Sequence, residues 1–470
     1  MPSAIFEFDA LSEPKVAPAL HPGFVPAVVW NKSFREAVRA DGHGVPLVIG
    51  LERADGSLSR YQTLIFPSGH SASAASLRYA ERLVKSLLWM WGGHKVIVGG
   101  PAEVGEAIRG AYGRRGARGF DAELMSTAYG KKFVVEVVAA GAVPAALEKT
   151  RPLGRHLDGC RIGFDLGASD RKVSALIEGE TVFSEEVAWD PSNQSNPLYH
   201  YHQVMSGLHQ AASHLPRVDA IGGSAAGIYV HNRARVASLF RGIPLPLFKK
   251  KIRPMFLRMQ KAWKVPFEVV NDGEVTALAG SMSINANRVL GLALGSSQAG
   301  GYVNDKGHIT GWLNELAFAP VDLNPKAPID EWSGDAGCGV QYFSQQAVFR
   351  LAAAAGIHPA EDLQPVDKLR AVQKLLSKGD ARSRLVFETI GVYLGYGIAH
   401  YADYYDISHV LILGRVTSGE AGPLILQKAQ EVLSVEFPDL ARRLSLHLPD
   451  EQRRRVGQAV AAASLPVVEL

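Results

Sequence analysis

The chain of 470 residues contains only two cysteines, Cys160 and Cys338. That excludes a disulfide-stapled scaffold and any zinc site built from several thiolates of one chain. No run of about 18 uncharged apolar residues is present, the length a membrane span needs. The most apolar helical stretch, around 83–91, is broken by Lys85 and ends at Gly92-Gly93. Residues 1–29 carry acids and prolines without a basic n-region ahead of an apolar core, so no signal peptide is expected. Charge of one sign is scarce too. The net charge of +4 comes from 50 Lys and Arg against 46 Asp and Glu, too weak to argue nucleic-acid binding by itself. There is no Gly-x4-Gly-Lys-Ser/Thr, no His-Glu-x2-His and no Gly-x-Ser-x-Gly. The default expectation is a cytoplasmic protein with no membrane partner.

What is present is globular. Hydrophobic residues make up 47% and charged residues 20%, ample for a core, and the length suggests two to four domains. The 47 glycines point to many turns or close backbone approaches to a ligand.

The pattern along the chain is α/β. Residues 1–44 read as an irregular arm. Segments 46–53 and 59–66 flank the turn Ala54-Asp55-Gly56-Ser57 and read as a hairpin. Helices are expected at 71–91, capped by Ser71 or Ser73, and at 101–112, with Pro101 in its first turn. Strands are expected at 95–98 and 131–138. Residues 45–155 thus form an N-terminal α/β unit, ending in a linker over 139–155 that carries Lys149, Arg151 and Pro152. A second α/β region, 156–285, has expected strands at 161–166, 172–177, 181–188, 218–221 and 267–270, with helices at 199–213 and 272–281. A third, 286–425, has strands at 289–294, 301–303 and 410–413 and a long helix at 383–405. Residues 426–470 read as a helical segment. No repeat of about 20–50 residues is visible.

Four stretches place chemistry-bearing residues at strand ends. In Phe164-Asp165-Leu166-Gly167-Ala168-Ser169 a strand delivers an acid into a small-residue turn. Such a turn is either ordinary or lets backbone N–H groups approach an anion, with the acid near a metal ion. Val270-Asn271-Asp272-Gly273 sets two Asx residues between a strand and a helix. They are either helix caps or an orienting group and a general base. Leu294-Gly295-Ser296-Ser297-Gln298 is a hairpin turn or a phosphate cradle. Val410-Leu411-Ile412-Leu413-Gly414 runs a buried strand into a glycine that a nucleotide base could border.

In that order, the four stretches resemble the phosphate-1, catalytic, phosphate-2 and adenosine motifs of the actin/hexokinase/Hsp70 ATPase superfamily. Within it the chain most resembles the ROK family of sugar kinases and sugar-responsive repressors. Three further stretches carry the likeness. These are 307–315 with Phe318-Ala319-Pro320-Val321, Gly337-Cys338 with Tyr342-Phe343-Ser344, and 390–414. The likeness spans roughly 161–422. It implies two actin-like (ribonuclease H-like) lobes around a cleft, a homodimer, and ATP with Mg²⁺ as cofactors. It also implies phosphoryl transfer to a hydroxyl of a sugar or polyol. Carried over, Asp165 would lie near the metal and phosphates, and Gly167 and Ser169 would contact phosphate. Asn271 would orient a sugar hydroxyl, Asp272 would be the general base and Glu315 would bind a sugar hydroxyl. Gly295 and Ser296 would cradle phosphate and Gly414 would border the adenosine. The alternative is a non-catalytic ligand sensor, or a regulatory or scaffold protein that has lost kinase activity.

The chain departs from the family pattern at defined places. Phe318 stands where the family has a His, and Val340 where it has a second sugar-binding Glu. With Cys338 alone left of the cysteine cluster, no structural zinc is expected. Ser169-Asp170 replaces Thr-Lys and sets a negative charge beside the phosphates. Two unpaired hydroxyls would cost about 1–3 kcal/mol each, which argues against a plain hexose and for a less hydroxylated or modified acceptor. Residues 45–138 read as mixed strands and helices, unlike the DNA-binding helix-turn-helix of ROK repressors, so no nucleic-acid partner is expected.

Other features have bland readings. The histidines at 200, 202, 209 and 214 read as solvent-facing or capping. Lys249-Lys250-Lys251, with Arg253, Arg258, Lys261 and Lys264, reads as a solvated helix face, the alternative being a patch for nucleic acid or another anionic partner. Gly222 to Gly227 reads as a strand-end turn, near where the sugar-side loop of the resemblance begins.

Overall fold

The computed structural model describes residues 12–149, 152–448 and 451–468. Residues 1–11 and Arg151, which the sequence reading places in the arm and the linker, lie outside the described residues. The fold is mixed α/β, with three larger sheets.

The first sheet has the order β2-β1-β3-β4, from β1 (Val45–Glu52), β2 (Leu58–Ile65), β3 (Lys95–Gly99) and β4 (Val134–Val138). β1 runs antiparallel to β2 and β3, and β4 is parallel to β3. The hairpin turn closes as expected. Gly56 adopts φ 82°, and the Asp55 carboxylate accepts from the Ser57 amide at 2.9 Å.

The second sheet has the order β11-β8-β5-β6-β7. Its strands are β5 (Cys160–Leu166), β6 (Asp170–Ile177), β7 (Glu180–Ala188), β8 (Ala220–Ala225) and β11 (Phe267–Asn271). β5, β6 and β7 form an antiparallel meander, and β8 and β11 run parallel to β5. A small hairpin, β9 (Ile228–Val230) with β10 (Arg233–Val236), follows β8.

The third sheet, β13-β12-β14-β15, repeats this plan: β12 (Val289–Leu294) pairs antiparallel with β13 (Gln298–Val303) and parallel with β14 (His409–Leu413). β15 (Ser445–His447) extends it in parallel. Both sheets therefore end a central strand in a short turn beside parallel neighbours, an internal likeness carried by topology and not by sequence.

The last helix, Glu451–Ala463, returns to the second sheet and lies on β5 and β8. Gly163 and Gly222 make this possible, because a Cβ at either would run into the carbonyls of Ala459 and Ala462. A single apolar core joins the first sheet and its helices to the third sheet and the helix Ala381–Ala402. A separate core fills the second sheet's helical side.

Several expectations are corrected. Residues 27–41, expected within an irregular arm, form the helix Ala27–Asp41. Its buried Ala27, Trp30, Asn31, Phe34 and Val38 fall at helical spacing, a signal hidden behind the Pro/Ala-rich run before it. Neither Ser71 nor Ser73 caps the helix Ser73–Met90. Ala72 is its N-cap and no side chain closes it. Pro101 precedes the helix Ala102–Ala111 as its N-cap. The strand expected at 218–221 is β8. The helix expected at 383–405 is Ala381–Ala402, started by Asp380, whose side chain accepts from the amides of Arg382 and Ser383. The helical segment expected at 426–470 also holds β15. Among the described residues no helix is long and apolar enough to cross a membrane.

Candidate functional site

The parallel strands β5, β8 and β11 bring their C-terminal ends together. Asp165 pairs in register with Ser224, and Ser224 with Val270, so Asn271 and Asp272 leave the sheet beside Asp165. Ser224 Oγ donates to Asp165 Oδ1 at 2.6 Å. Burial pushes Asp165 up to about 6. Ser224 opposes the shift and the nearby Asp272 charge adds to it.

Asn271 is a helix cap. Its Oδ1 accepts from the Gly273 amide at 2.7 Å, and its Nδ2 donates to the Gly227 carbonyl at 2.8 Å. The capping reading of Asn271 therefore holds, and the same bond holds the loop after β8 against β11. Asp272 opens the helix Asp272–Ser283, and burial raises its carboxyl above the ordinary range. Glu315 reaches the same place from a distant loop, anchored where its amide donates to the Trp89 carbonyl at 2.9 Å. Burial first, and Asp272 second, push Glu315 up to about 7. Asp272 is thus the shared electrostatic neighbour of Asp165 and Glu315.

Asn271 and Glu315 border a cavity of about 140 Å³, below the about 300–1,000 Å³ of drug-sized ligand pockets. Its other walls are the loop Gly227 to His231, Glu274, and residues 309–313. The sequence reading missed a further wall. Arg53, Asp55, Tyr129 and Lys149, all from the N-terminal region, face the same cavity. Lys149 Nζ donates to the Asp55 carbonyl at 2.9 Å, and Arg53 pairs with Glu148. No local motif marks these residues; only the hairpin turn and the linker Lys149 stood out in the sequence.

A second cavity, about 490 Å³, lies between β6–β7 and the helix Pro365–Leu376 with the turn after β14; the Gly295 turn does not line it. Asp170, Lys172 and Glu186 line one side, and Arg370, Gln373, Arg415 and Ser418 the other. The turn from β5 to β6 leads into it. Gly167 N–H donates to the Asp170 carbonyl at 3.0 Å, and Ser169 Oγ donates to Asp170 Oδ2 at 3.0 Å. Asp170 also pairs with Lys172 at 3.0 Å. Asp165 feels both Lys172 and Asp170, so it stands within electrostatic reach of either cavity. The Gly295 turn closes on itself, its amide donating to the Ser297 carbonyl at 2.9 Å, with Ser296 exposed at its tip. Gly414 abuts it. With φ 107°, a Cβ there would strike the Leu294 backbone. Gln298 points away from the turn and donates to Tyr401 Oη at 2.9 Å.

Two other departures have a structural cause. Phe318 stacks on Trp89 with ring centroids 4.3 Å apart, so the family's His position is packed by the helix Ser73–Met90. Around Cys338 the same helix supplies charge. Lys85 Nζ lies 2.7 Å from Asp335 and 3.5 Å from Asp121, and burial pushes the Cys338 thiol up to about 12. An ammonium and a neutral thiol do not make a zinc site. Arg82 and Arg118 also pair with Asp335, at 2.9 and 2.7 Å. Val340 lies in the short turn Gly339–Gln341.

Glu274 carries a prediction about pH. It is buried, accepts from Asn314 Nδ2 at 3.2 Å, and burial pushes it up to about 8 from an ordinary 4.5. The folded chain then holds a proton between pH 4.5 and 8 that the unfolded chain releases, so its contribution to stability falls as pH rises through that window. Glu274→Gln is expected to flatten this slope and to stabilise the protein at pH 8, as read by urea unfolding at pH 5 and pH 8. An equal slope in both proteins counts against a protonated Glu274.

No protein family matches the chain by sequence, and no curated protein does. Solved structures do. A ROK family transcriptional regulator, described as a homolog of the E. coli MLC protein, matches with a TM-score of 0.50 at 18% identity. It covers 77% of this chain and 88% of its own. A ROK hexokinase from Thermus thermophilus matches with a TM-score of 0.49 at 19% identity, over 64% of this chain and 97% of its own. A ROK family glucokinase from Streptomyces griseus, in complex with glucose and AMPPNP, matches with a TM-score of 0.47 at 19% identity, over 65% and 99%. The chain has the fold of ROK-family proteins, as the sequence resemblance implies.

Proposed function

We propose that the chain is a divergent ROK-type phosphotransferase. In this reading the second and third sheets are two actin-like lobes, and the N-terminal unit closes the acceptor side. The reaction would move a phosphoryl group from ATP to a hydroxyl of a sugar- or polyol-like molecule. The observation that carries this reading is the placement of Asp272. It opens the helix directly after Asn271, which lines the small cavity, and stands within electrostatic reach of both Asp165 and Glu315.

The residues suit the cofactors. Among the described residues no group of three His, Cys, Asp or Glu is arranged to hold a metal alone. Mg²⁺ bound with a nucleotide needs only one or two carboxylates, with phosphates and water completing its shell. Asp165 meets that need, and a cation beside it would relieve its repulsion from Asp272. The larger cavity offers Lys172, Arg370 and Arg415 to an anion. When bound, ATP with Mg²⁺ supplies the transferable phosphoryl group and neutralises its charge. Asp272 accepts the acceptor hydroxyl's proton, and Glu315 and the Asn271-held loop orient that acceptor.

The test is ADP release from Mg-ATP across hexoses, amino sugars, polyols and nucleosides, beside Asp272→Asn. Acceptor-dependent release that vanishes in the variant supports the kinase. ATP binding without release for any acceptor supports a second reading, a ligand sensor, which Phe318 and Val340 favour by removing two polar acceptor contacts.

Asp170 gives an independent prediction. Its carboxylate borders the larger cavity. Asp170→Asn is expected to tighten ATP binding about two- to fivefold, as expected for removing one partly exposed like charge. Calorimetric titration with ATP reads this, and weaker binding in the variant would count against phosphates at that turn.

A further inference from the structure

Residues 220–267 contain ten Lys or Arg and no Asp or Glu. The rest of the chain then carries forty basic residues against forty-six acidic ones, so positive charge is concentrated here far beyond the net +4. Eight of the ten side chains are exposed. None of the ten takes part in an ion pair among the described residues. A solvated surface of mixed composition would pair some of them.

The charge sits on one continuous piece of structure. The helix Met255–Trp263 buries Met255, Phe256 and Met259 and leaves Arg258 and Lys261 exposed. Ahead of it the wide helical turn Phe248–Ile252 buries Ile252 and exposes Lys249, Lys250 and Lys251. Immediately before the lysines, in Pro244-Leu245-Pro246-Leu247, Leu245 is 62% exposed and Leu247 39%. The neighbouring helix Pro197–Ala212 packs against the same turn and exposes Leu198 near its start. Large apolar side chains beside an unpaired cluster of lysines are what an interfacial membrane contact is made of: the leucines enter the acyl boundary and the lysines meet anionic head groups. A nucleic acid would use the lysines and leave the leucines in water.

We propose that this face docks on an anionic lipid surface, with Leu245 and Leu247 as the inserted tip and Lys249 to Lys251 as the electrostatic contact. The acceptor and nucleotide cavities do not include these residues, so docking is independent of the proposed chemistry.

The test is co-sedimentation of the full chain with vesicles of phosphatidylcholine alone and of equal parts phosphatidylcholine and phosphatidylserine. Binding is expected only to the second kind, falling as salt rises. The triple change Lys249→Ala, Lys250→Ala and Lys251→Ala is expected to weaken it about a hundredfold, at about fivefold per lysine. The pair Leu245→Ser and Leu247→Ser is expected to weaken it while leaving the salt dependence. All five positions are on the surface, and unchanged thermal melting confirms that each variant is folded. Equal binding to both vesicles, or none, overturns the proposal. So does tighter binding to a DNA duplex that survives the leucine changes, which assigns the face to nucleic acid.

Discussion

Asp272→Asn is expected to lower acceptor-dependent ADP release about 10²–10⁴-fold, the range that loss of a positioned general base produces. Asn keeps the shape and the oxygen that accepts from the Gly273 amide at 3.0 Å, so the helix start survives. What it loses is the capacity to take a proton. If the larger cavity takes the nucleotide, as proposed, its affinity is expected to stay within about fivefold, since Asp272 does not line that cavity and a charge removed at that remove is worth about 1 kcal/mol or less. The pH profile adds a second check. Burial raises both Asp272 and Asp165, the latter to about 6, so activity should climb with pH through the upper carboxylate range rather than reach its plateau near pH 4. Release that is unchanged in the variant removes Asp272 from the chemistry whatever the acceptor proves to be.

Asp335→Ala is expected to cost about 3–5 kcal/mol, because it takes a shared carboxylate from the buried Lys85 and Arg118 and the part-buried Arg82 and leaves that positive cluster undercompensated. Asp335 is 7% exposed and pairs at once with Arg82, Lys85 and Arg118, while Arg82 and Arg118 also share Glu81. Trp89 Nε1 donates to Asp121 at 3.2 Å and completes the set. Five of these six charges lie between residues 81 and 121, and the sixth comes from a loop after the third sheet's hairpin. Losing it should therefore loosen the N-terminal region and open the outer wall that this region gives the small cavity. Urea unfolding measures the cost, and limited proteolysis shows where the chain opens. A loss under about 1 kcal/mol would mean that apolar packing around Trp89 alone seats the region. Asp335→Asn, which keeps the volume, separates lost charge from lost packing.

The strand–turn motifs were legible because each is local. An acid before small residues, or Asn-Asp before a helical pattern, announces a strand end within a few positions. The order of those motifs then pointed to the fold. The seating of the N-terminal region was not legible, because its contacts join residues such as Lys85 and Asp335, 250 positions apart. Phe318 shows the cost of that blindness. In the sequence it is a missing ligand; in the structure it is the floor on which Trp89 rests. Arg53 and Tyr129 were missed at the cavity for the same reason. The helix Ala27–Asp41 was missed too, although its own spacing of Trp30, Phe34 and Val38 carried the signal.

The last helix has a consequence for how the molecule is made. β5 is complete at Leu166, yet its covering helix ends at Ala463. At about 5–20 residues per second, a ribosome delivers that cover about 15–60 s later. Through that interval the bare backbone at Gly163 and Gly222 has no helix above it, and its apolar neighbours stay open to water. The sheet that holds Asp165 and Asp272 is therefore among the last parts of the nascent chain to close, and chaperone dependence should concentrate there.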